Sequence, residues 1–223
     1  GGCQVGAQIT NSADSDFSNL SLSENSSRGI QIQNSSSLTI NNLDSFDNGG
    51  YGMILNNVDD SSFGNVDLYN NDGIGIFMLA GSNTNDFSGL TWHNNPNSNS
   101  GLYMVESSYN NFTNFEFAYS ASTGSPYAVI LAGSNYNSFS NGSIHDLNAT
   151  NAGRGLYVWG SGYNAFQDLE IYNLSSGVGY TGVGLDGGNV SRFSDLHIHD
   201  ISVVGGVGVA SAGFNLEDSS LVT

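Results

Sequence analysis

Apolar and polar positions along this chain alternate in a fixed frame. Phe stands at positions 17, 63, 87, 112, 139, 166 and 193, with Ile40 in the one gap, giving steps of 23, 23, 24, 25, 27, 27 and 27 residues. Counted from that anchor, position −10 reads Ala7, Ile30, Met53, Phe77, Leu102, Val129, Leu156 and Val183. Position −8 reads Ile9, Ile32, Leu55, Leu79, Met104, Leu131, Val158 and Leu185. Position +3 runs from Leu20 to Leu196 through Phe115 and Gly142, and position +5 from Leu22 to Ile198 through Ser45 and Trp92. In each pair the apolar residues are two apart with a variable residue between. That is the period of strands burying one face, and no 3.6-residue period competes with it. Self-similarity at a period of roughly 25 residues marks a solenoid.

Two short strands and one buried Phe per repeat, with small or amide residues at the corners, build one coil of a parallel β-helix. Gly6, Gly29, Gly52, Gly101, Gly155 and Gly182 stand eleven residues before the anchor, with Ile76 and Ala128 in the remaining coils, and are read as corners that need positive φ. Asn or Asp recurs at +2 (Asn19, Asn42, Asn65, Asn114, Asn141, Asp168, Asp195) and Asn at −2 (Asn85, Asn110, Asn137, Asn164). Short amides suit tight bends and bond from coil to coil when stacked. The text Gly-x-x-apolar-x-x-Ser-x-x-Asn-x-Phe-x-Asn/Asp-apolar resembles the repeats of pectate-lyase-like and NosD-like right-handed parallel β-helix proteins over about residues 5–215. The resemblance implies an all-β, right-handed parallel β-helix of about eight to nine coils with 23–27 residues each. It carries little about activity, because such repeats serve lyases, hydrolases, phage spikes, adhesins and surface proteins alike.

Residues 1–4 read as a flexible lead and 5–223 as one domain, since a solenoid shares a continuous core. Twenty acids face three cations, Arg28, Arg154 and Arg192, with no lysine, for a formal charge of −17. That balance argues against nucleic acid and anionic lipid as partners. Cys3 has no second cysteine to pair with. No signal peptide or long apolar span is evident, so an extracellular or cell-surface location is expected from composition and resemblance alone. Among eight Asn-x-Ser/Thr sequons, Asn148 and Asn173 fall in expected loops and are the better glycosylation candidates, whereas Asn189 and the others carry less weight. From residue 94 onward the connections after +6 lengthen into Asn/Ser/Gly segments that take both prolines, Pro96 and Pro126, and are expected to protrude. The last repeat, Gly206-Val207-Gly208-Val209, leads into an incomplete turn.

Two outward ladders carry the candidate chemistry. Positions +4 and +6 expose Asp44, Asp67, Tyr69, Thr91, His93, Glu116, His145, Glu170, Tyr172, His197 and His199, all four histidines among them. Register would set Glu170 beside His197 and Tyr172 between His145 and His199, groups able to bind sugar or metal. Glu170, His197, His199 and His145 are therefore the candidate catalytic residues, weighed against a merely solvated face. Positions −9 and −7 expose Ile54, Met78, Tyr103, Val105, Ile130, Tyr157 and Trp159, an apolar stripe read as a self-association interface. No clustered Asp with a basic partner, Gly-His-Gly, Ser-His-Asp or HExxH set occurs, so no cofactor is expected and Ca²⁺ has no motif behind it.

The first reading is a non-catalytic extracellular β-helix whose uncapped ends and apolar stripe join copies of itself into a filament, fibre or sheath. The alternative is a carbohydrate-binding or polysaccharide-degrading protein using the His/Glu/Tyr ladder. A trimeric spike is a third arrangement compatible with the length.

Overall fold

A computed structural model describes residues 2–95, 97–122, 126–188, 190–203, 212–217 and 221–222. Pro96, Asn189 and the Gly206-Val207-Gly208-Val209 run lie outside the described residues. Each coil gives one strand to each of two sheets. The first four coils are β1 (Val5–Thr10) with β2 (Asp16–Ser23), β3 (Arg28–Ser36) with β4 (Thr39–Phe46), β5 (Tyr51–Asp59) with β6 (Ser62–Tyr69), and β7 (Ile76–Leu79) with β8 (Asp86–His93). In the fifth, β9 (Ser100–Val105) is followed by two pieces, β10 (Asn111–Thr113) and β11 (Glu116–Ser122). The rest are β12 (Tyr127–Ala132) with β13 (Ser138–Ala149), β14 (Gly153–Trp159) with β15 (Ala165–Ser176), β16 (Tyr180–Asp186) with β17 (Ser191–Val203), and β18 (Ala212–Glu217) with β19 (Leu221–Val222). The first sheet runs β1-β3-β5-β7-β9-β12-β14-β16-β18, and the second has ten strands from β2 to β19. Pairing is parallel throughout, as in β15 on β17, where Phe166 faces Phe193 and Ile171 faces Ile198. The expected parallel β-helix is what forms, with nine strands in its first sheet.

The anchor phenylalanines form a spine between the sheets. Phe63, Phe87, Phe112, Phe139, Phe166 and Phe193 stack ring on ring at 4.6–5.3 Å, and all but Phe193 are fully buried. Two columns of buried amides close the corners. In one, the backbone N–H of Asn85, Asn110 and Asn137 donates to the Oδ1 of Asn110, Asn137 and Asn164 at 2.9, 2.9 and 2.8 Å. The other, Asn25-Asn48-Asn71-Asn95, repeats the bond at 3.1, 3.2 and 2.7 Å. Each amide thereby satisfies a corner N–H that no strand ladder reaches.

Several details depart from the expectation for physical reasons. The glycines eleven before the anchor do not take positive φ. They are close approaches: a Cβ on Gly155 would sit 2.7 Å from the Gly182 carbonyl oxygen and 3.1 Å from Ile171 Cγ2. Positive φ belongs instead to the +2 residues, 51–58° at Asn19, Asn42, Asn65, Asn114, Asn141, Asp168 and Asp195, with Gly89 at 72° completing the column. Asn and Asp tolerate that conformation because their side chains bond locally. In the coil before Phe87, Met53 pairs with Ile76 and Leu55 with Met78, so the inward positions are Ile76 and Met78 rather than Phe77 and Leu79. The extra residue of that coil follows the strand, where Ala80 and Gly81 both take positive φ. The lengthened connections are largely strand, because β13, β15 and β17 run on to Ala149, Ser176 and Val203 and pair there. Polar Ser45 in the core is satisfied, its hydroxyl donating to Gly52 O at 2.9 Å.

Asn137→Ala removes an acceptor from the buried column and strands its neighbours' donors. It should lower the unfolding free energy by about 3–5 kcal/mol, since each buried unsatisfied group costs roughly 1–3. Asn141→Gly, at an exposed left-handed residue, should cost less than ~1 kcal/mol. Denaturant midpoints of the two variants check the difference.

Candidate functional site

Left-handed residues fold the second sheet into a shallow outward face. The +2 residues bend it on one side, and Asp47, Asn70, Asn94, Asp146, Asn173 and Asp200, with φ of 52–54°, turn it on the other. Between these bends the +6 side chains stand in one column. Phe46, Tyr69 and His93 stack at 4.8 and 5.3 Å, and His145, Tyr172 and His199 at 4.7 and 5.2 Å. Ala118, in register with both His93 and His145, separates the two stacks.

Each histidine of the ring column, His93, His145 and His199, is held by a carboxylate from an earlier rung. His93 Nε2 lies 3.1 Å from Asp67 Oδ1, and its Nδ1 accepts from Asn94 Nδ2 at 2.9 Å. In that arrangement Nδ1 faces the Asn94 amide and Nε2 faces Asp67. Asp67 Oδ1 also accepts the Thr91 hydroxyl at 2.6 Å. Buried His145 lies between two carboxylates, 3.0 Å from Glu116 Oε1 and 2.8 Å from Asp146 Oδ2. His199 repeats the pattern at the surface, 3.3 Å from Glu170 and 2.8 Å from Asp200. Hydrogen bonds from Asp200 first, then Glu170, raise the His199 pKa above that of a free imidazole. Tyr69 is also raised, by burial first and then by Asp44, Asp67 and Asp47.

At the break in the second sheet a cavity of about 400 Å³ opens, lined by Asp67, Thr91, Trp92, His93, Asn94 and Glu116. A shallower recess of about 210 Å³ along Asn42, Asp44, Asn65 and Asp67 borders it through Asp67 and Thr91. One side of the cavity presents the His93–Asp67 pair. The other presents Glu116, whose carboxylate is fixed by His145, itself fixed by Asp146. Among the described residues, no group of three or more His, Cys, Asp or Glu could hold a metal ion.

The sequence-derived candidates divide across this geometry. Glu170 and His197 are in register, yet the Glu170 hydrogen bond goes to His199, and His145 and His199 flank Tyr172 as expected. His145 stands closest to the cavity, whereas Asp67, His93 and Glu116, seen only as ladder members, form it. In the apolar stripe Met78 is fully buried, for the register reason above, and Ile54 is buried too. Tyr103, Val105, Ile130 and Tyr157 are half-buried, and Trp159 is 54% exposed. Asn148 and Asn173 lie exposed on β13 and β15 rather than in loops. Pro126 is buried before β12, and Cys3 is exposed. A second feature escaped the pattern altogether. Tyr109, Tyr136 and Tyr163 stack at 5.0 Å on the corner before the anchor, about half exposed, all with φ of 57–61°. Their period of 27 was the available signal.

A family model described as right-handed β-helix region matches residues 2–117. No curated protein matches the chain. Among solved structures it is similar to the A-modules of two Azotobacter vinelandii mannuronan C-5 epimerases. For AlgE4 the TM-score is 0.62 at 17% identity, covering 95% of this chain and 62% of that one. For AlgE6 the TM-score is 0.56 at 12% identity, covering 95% and 65%. A GH87 α-1,3-glucanase catalytic domain in complex with tetrasaccharides gives 0.47 at 11% identity, covering 97% and 57%. The chain therefore spans less than two thirds of each of these structures.

Because Asp200 and Glu170 favour the imidazolium, His199 should titrate above the ordinary imidazole range in an NMR pH series. Its raised pKa stabilises the fold below the unfolded imidazole value, and that contribution fades as pH rises through the raised one. Glu170→Gln should move the titration downward.

Proposed function

The chain belongs to the right-handed β-helix family, and from that premise we propose that it is a polysaccharide-active protein whose glycan lies along the outer face of the second sheet. The observation that carries this reading is the cavity of about 400 Å³ with the Asp67–His93 pair on one wall and the Glu116–His145–Asp146 relay on the other. Its size falls within the range of ligand pockets. The recess along Asn42, Asp44 and Asn65 extends it in the rod direction, as a chain-like ligand requires. Two neighbours of the same fold are mannuronan C-5 epimerase A-modules by name, which supports a glycan without fixing which.

In this reading Glu116 and His93 are the acid–base groups. Glu116 is 47% exposed at its side chain and His93 32%, so both can reach a bound sugar. His145 and Asp146 act as positioning residues, holding the Glu116 carboxylate toward the cavity and supplying or taking its proton. Asp67 fixes the His93 ring. Glu170, His197 and His199 lie farther along the same face, where they contact the polymer rather than the reacting atoms. Such a protein would work outside the cell, where polysaccharides are met.

Self-association remains a second reading because Trp159 is 54% exposed next to half-buried Tyr157. Light scattering over a concentration series, with Trp159→Ser beside the wild type, separates it: only a self-associating chain changes mass and loses that change in the variant.

A panel of polysaccharides screened by affinity electrophoresis and product release tests the main reading. Glu116→Gln should cut product release by roughly 10²–10⁴-fold, the usual contribution of a positioned acid or base. Glycan retardation should survive in that variant. A chain that neither retards on nor changes any polysaccharide would overturn the reading.

A further inference from the structure

Among the described residues the exposed tyrosines cover one another, and one exposed indole is left bare. Tyr109, Tyr136 and Tyr163 form a stack, whereas Trp159, 54% exposed, makes no ring contact. Register sets Trp159 on the outer face of the first sheet, between Ala132 on one rung and Asp186 on the next. Ala132 is too small to cover an indole. Two residues earlier on the same face, the Tyr157 hydroxyl donates to Asp186 Oδ2 at 2.9 Å, and the Arg154 guanidinium lies 3.9 Å from the centre of that ring. Gly184 makes room for this arginine, since a Cβ there would stand 3.2 Å from both Arg154 Cδ and Nε. Arg154 and Asp186 therefore meet at one phenol without pairing. Among the described residues every carboxylate ion pair is with a histidine. Tyr157 takes one oxygen of Asp186, which leaves the other oxygen and most guanidinium N–H groups for a ligand.

We infer that this patch is a second, non-catalytic sugar site, which holds one neutral hexopyranose unit of a polysaccharide. The C–H face of the sugar lies on the Trp159 indole, whose π face is negative. Of two neighbouring hydroxyls, one accepts from Arg154 and the other donates to Asp186. A hydroxyl can do either, so a guanidinium and a carboxylate side by side match a vicinal pair without demanding net charge. A uronate would gain Arg154 but press its carboxylate on Asp186, and an amino sugar would meet the reverse conflict. A second copy of this chain would bring a formal charge of −17 to the same face. The inference rests on the glycan reading for the class of polymer and adds a contact that does no chemistry. Polymer held on the first sheet keeps further segments at high local concentration beside the cavity on the second.

Acrylamide quenching of tryptophan fluorescence tests this on the intact protein, because the only other tryptophan, Trp92, is fully buried. The probes are hexaoses of glucose, mannose and galactose, with hexauronates and glucosamine hexaose beside them. At least one neutral hexaose should shield Trp159 from the quencher. The midpoint of that shielding should rise at least ~10-fold in Asp186→Asn, which loses hydrogen bonds to a charged group. Arg154→Lys should raise it as well, since an ammonium lacks the planar fork that lies on Tyr157. Glu116→Gln, at the cavity, should leave the midpoint where it is. Shielding by no neutral hexaose, shielding by the charged oligomers alone, or a midpoint that moves in Glu116→Gln but not in Asp186→Asn would overturn the inference. Shielding that grows with protein concentration and needs no sugar would give Trp159 to a second copy and overturn it too. Polysaccharide retardation or product release by the wild type would, in each of those cases, leave the glycan reading standing.

Discussion

Everything in this fold depends on one recurring bond, the corner amide that answers the backbone of the rung beneath it. Parallel strands satisfy their own N–H and C=O groups only along the straight runs, and a coil has to turn twice without exposing its core. Asn85 through Asn164 at one corner, and Asn25 through Asn95 at the other, supply a side-chain oxygen where the ladder lapses. With the corners tied, the phenylalanine spine is held at a spacing of 4.6–5.3 Å and needs no covering layer. Substitutions that respect the amide are absorbed locally; those that do not propagate, because each amide serves two rungs.

The same locking makes the outer face a template. Register fixes Asp67 under Thr91 and Thr91 under Glu116, so side chains from three rungs meet without any loop to steer them. Among the described residues the strand broken in two, β10 and β11, belongs to the coil whose Glu116 lines the cavity and whose Ala118 interrupts the ring column. The buried His145 then acts as a strut, its two hydrogen bonds tying a carboxylate on the wall to one on the bend.

Most of the architecture was legible because it is periodic. The spacing of Phe17 to Phe193 and the amides at +2 and −2 are direct images of strands, left-handed bends and stacked corners. What misled was any position where the period slipped. Met78 reads as outward only if the 24-residue coil keeps its neighbours' frame, and a single residue added after the strand flips its face, since side chains alternate every residue. The glycines before the anchor looked like bends because Gly is the usual bend residue. Their real constraint, the +5 side chain and the next rung's carbonyl pressing on the site of a Cβ, involves residues distant in sequence. The cavity was not legible for the same reason: its walls come from residues on three different rungs, Asp67, Thr91 with His93, and Glu116. Tyr109, Tyr136 and Tyr163 are hard to place from sequence because bulky residues seldom take positive φ.

The coil that gains one residue at Ala80 and Gly81 shows where such a chain can change length. Insertion at a left-handed corner leaves both sheets in step, whereas insertion inside a strand would turn the core inside out. Descent with modification can therefore lengthen or shorten this rod only in whole coils or at its corners. A duplicated coil would move the break in the second sheet along the rod by one rung, altering the length of outer face on either side while every contact within a rung stays as it was.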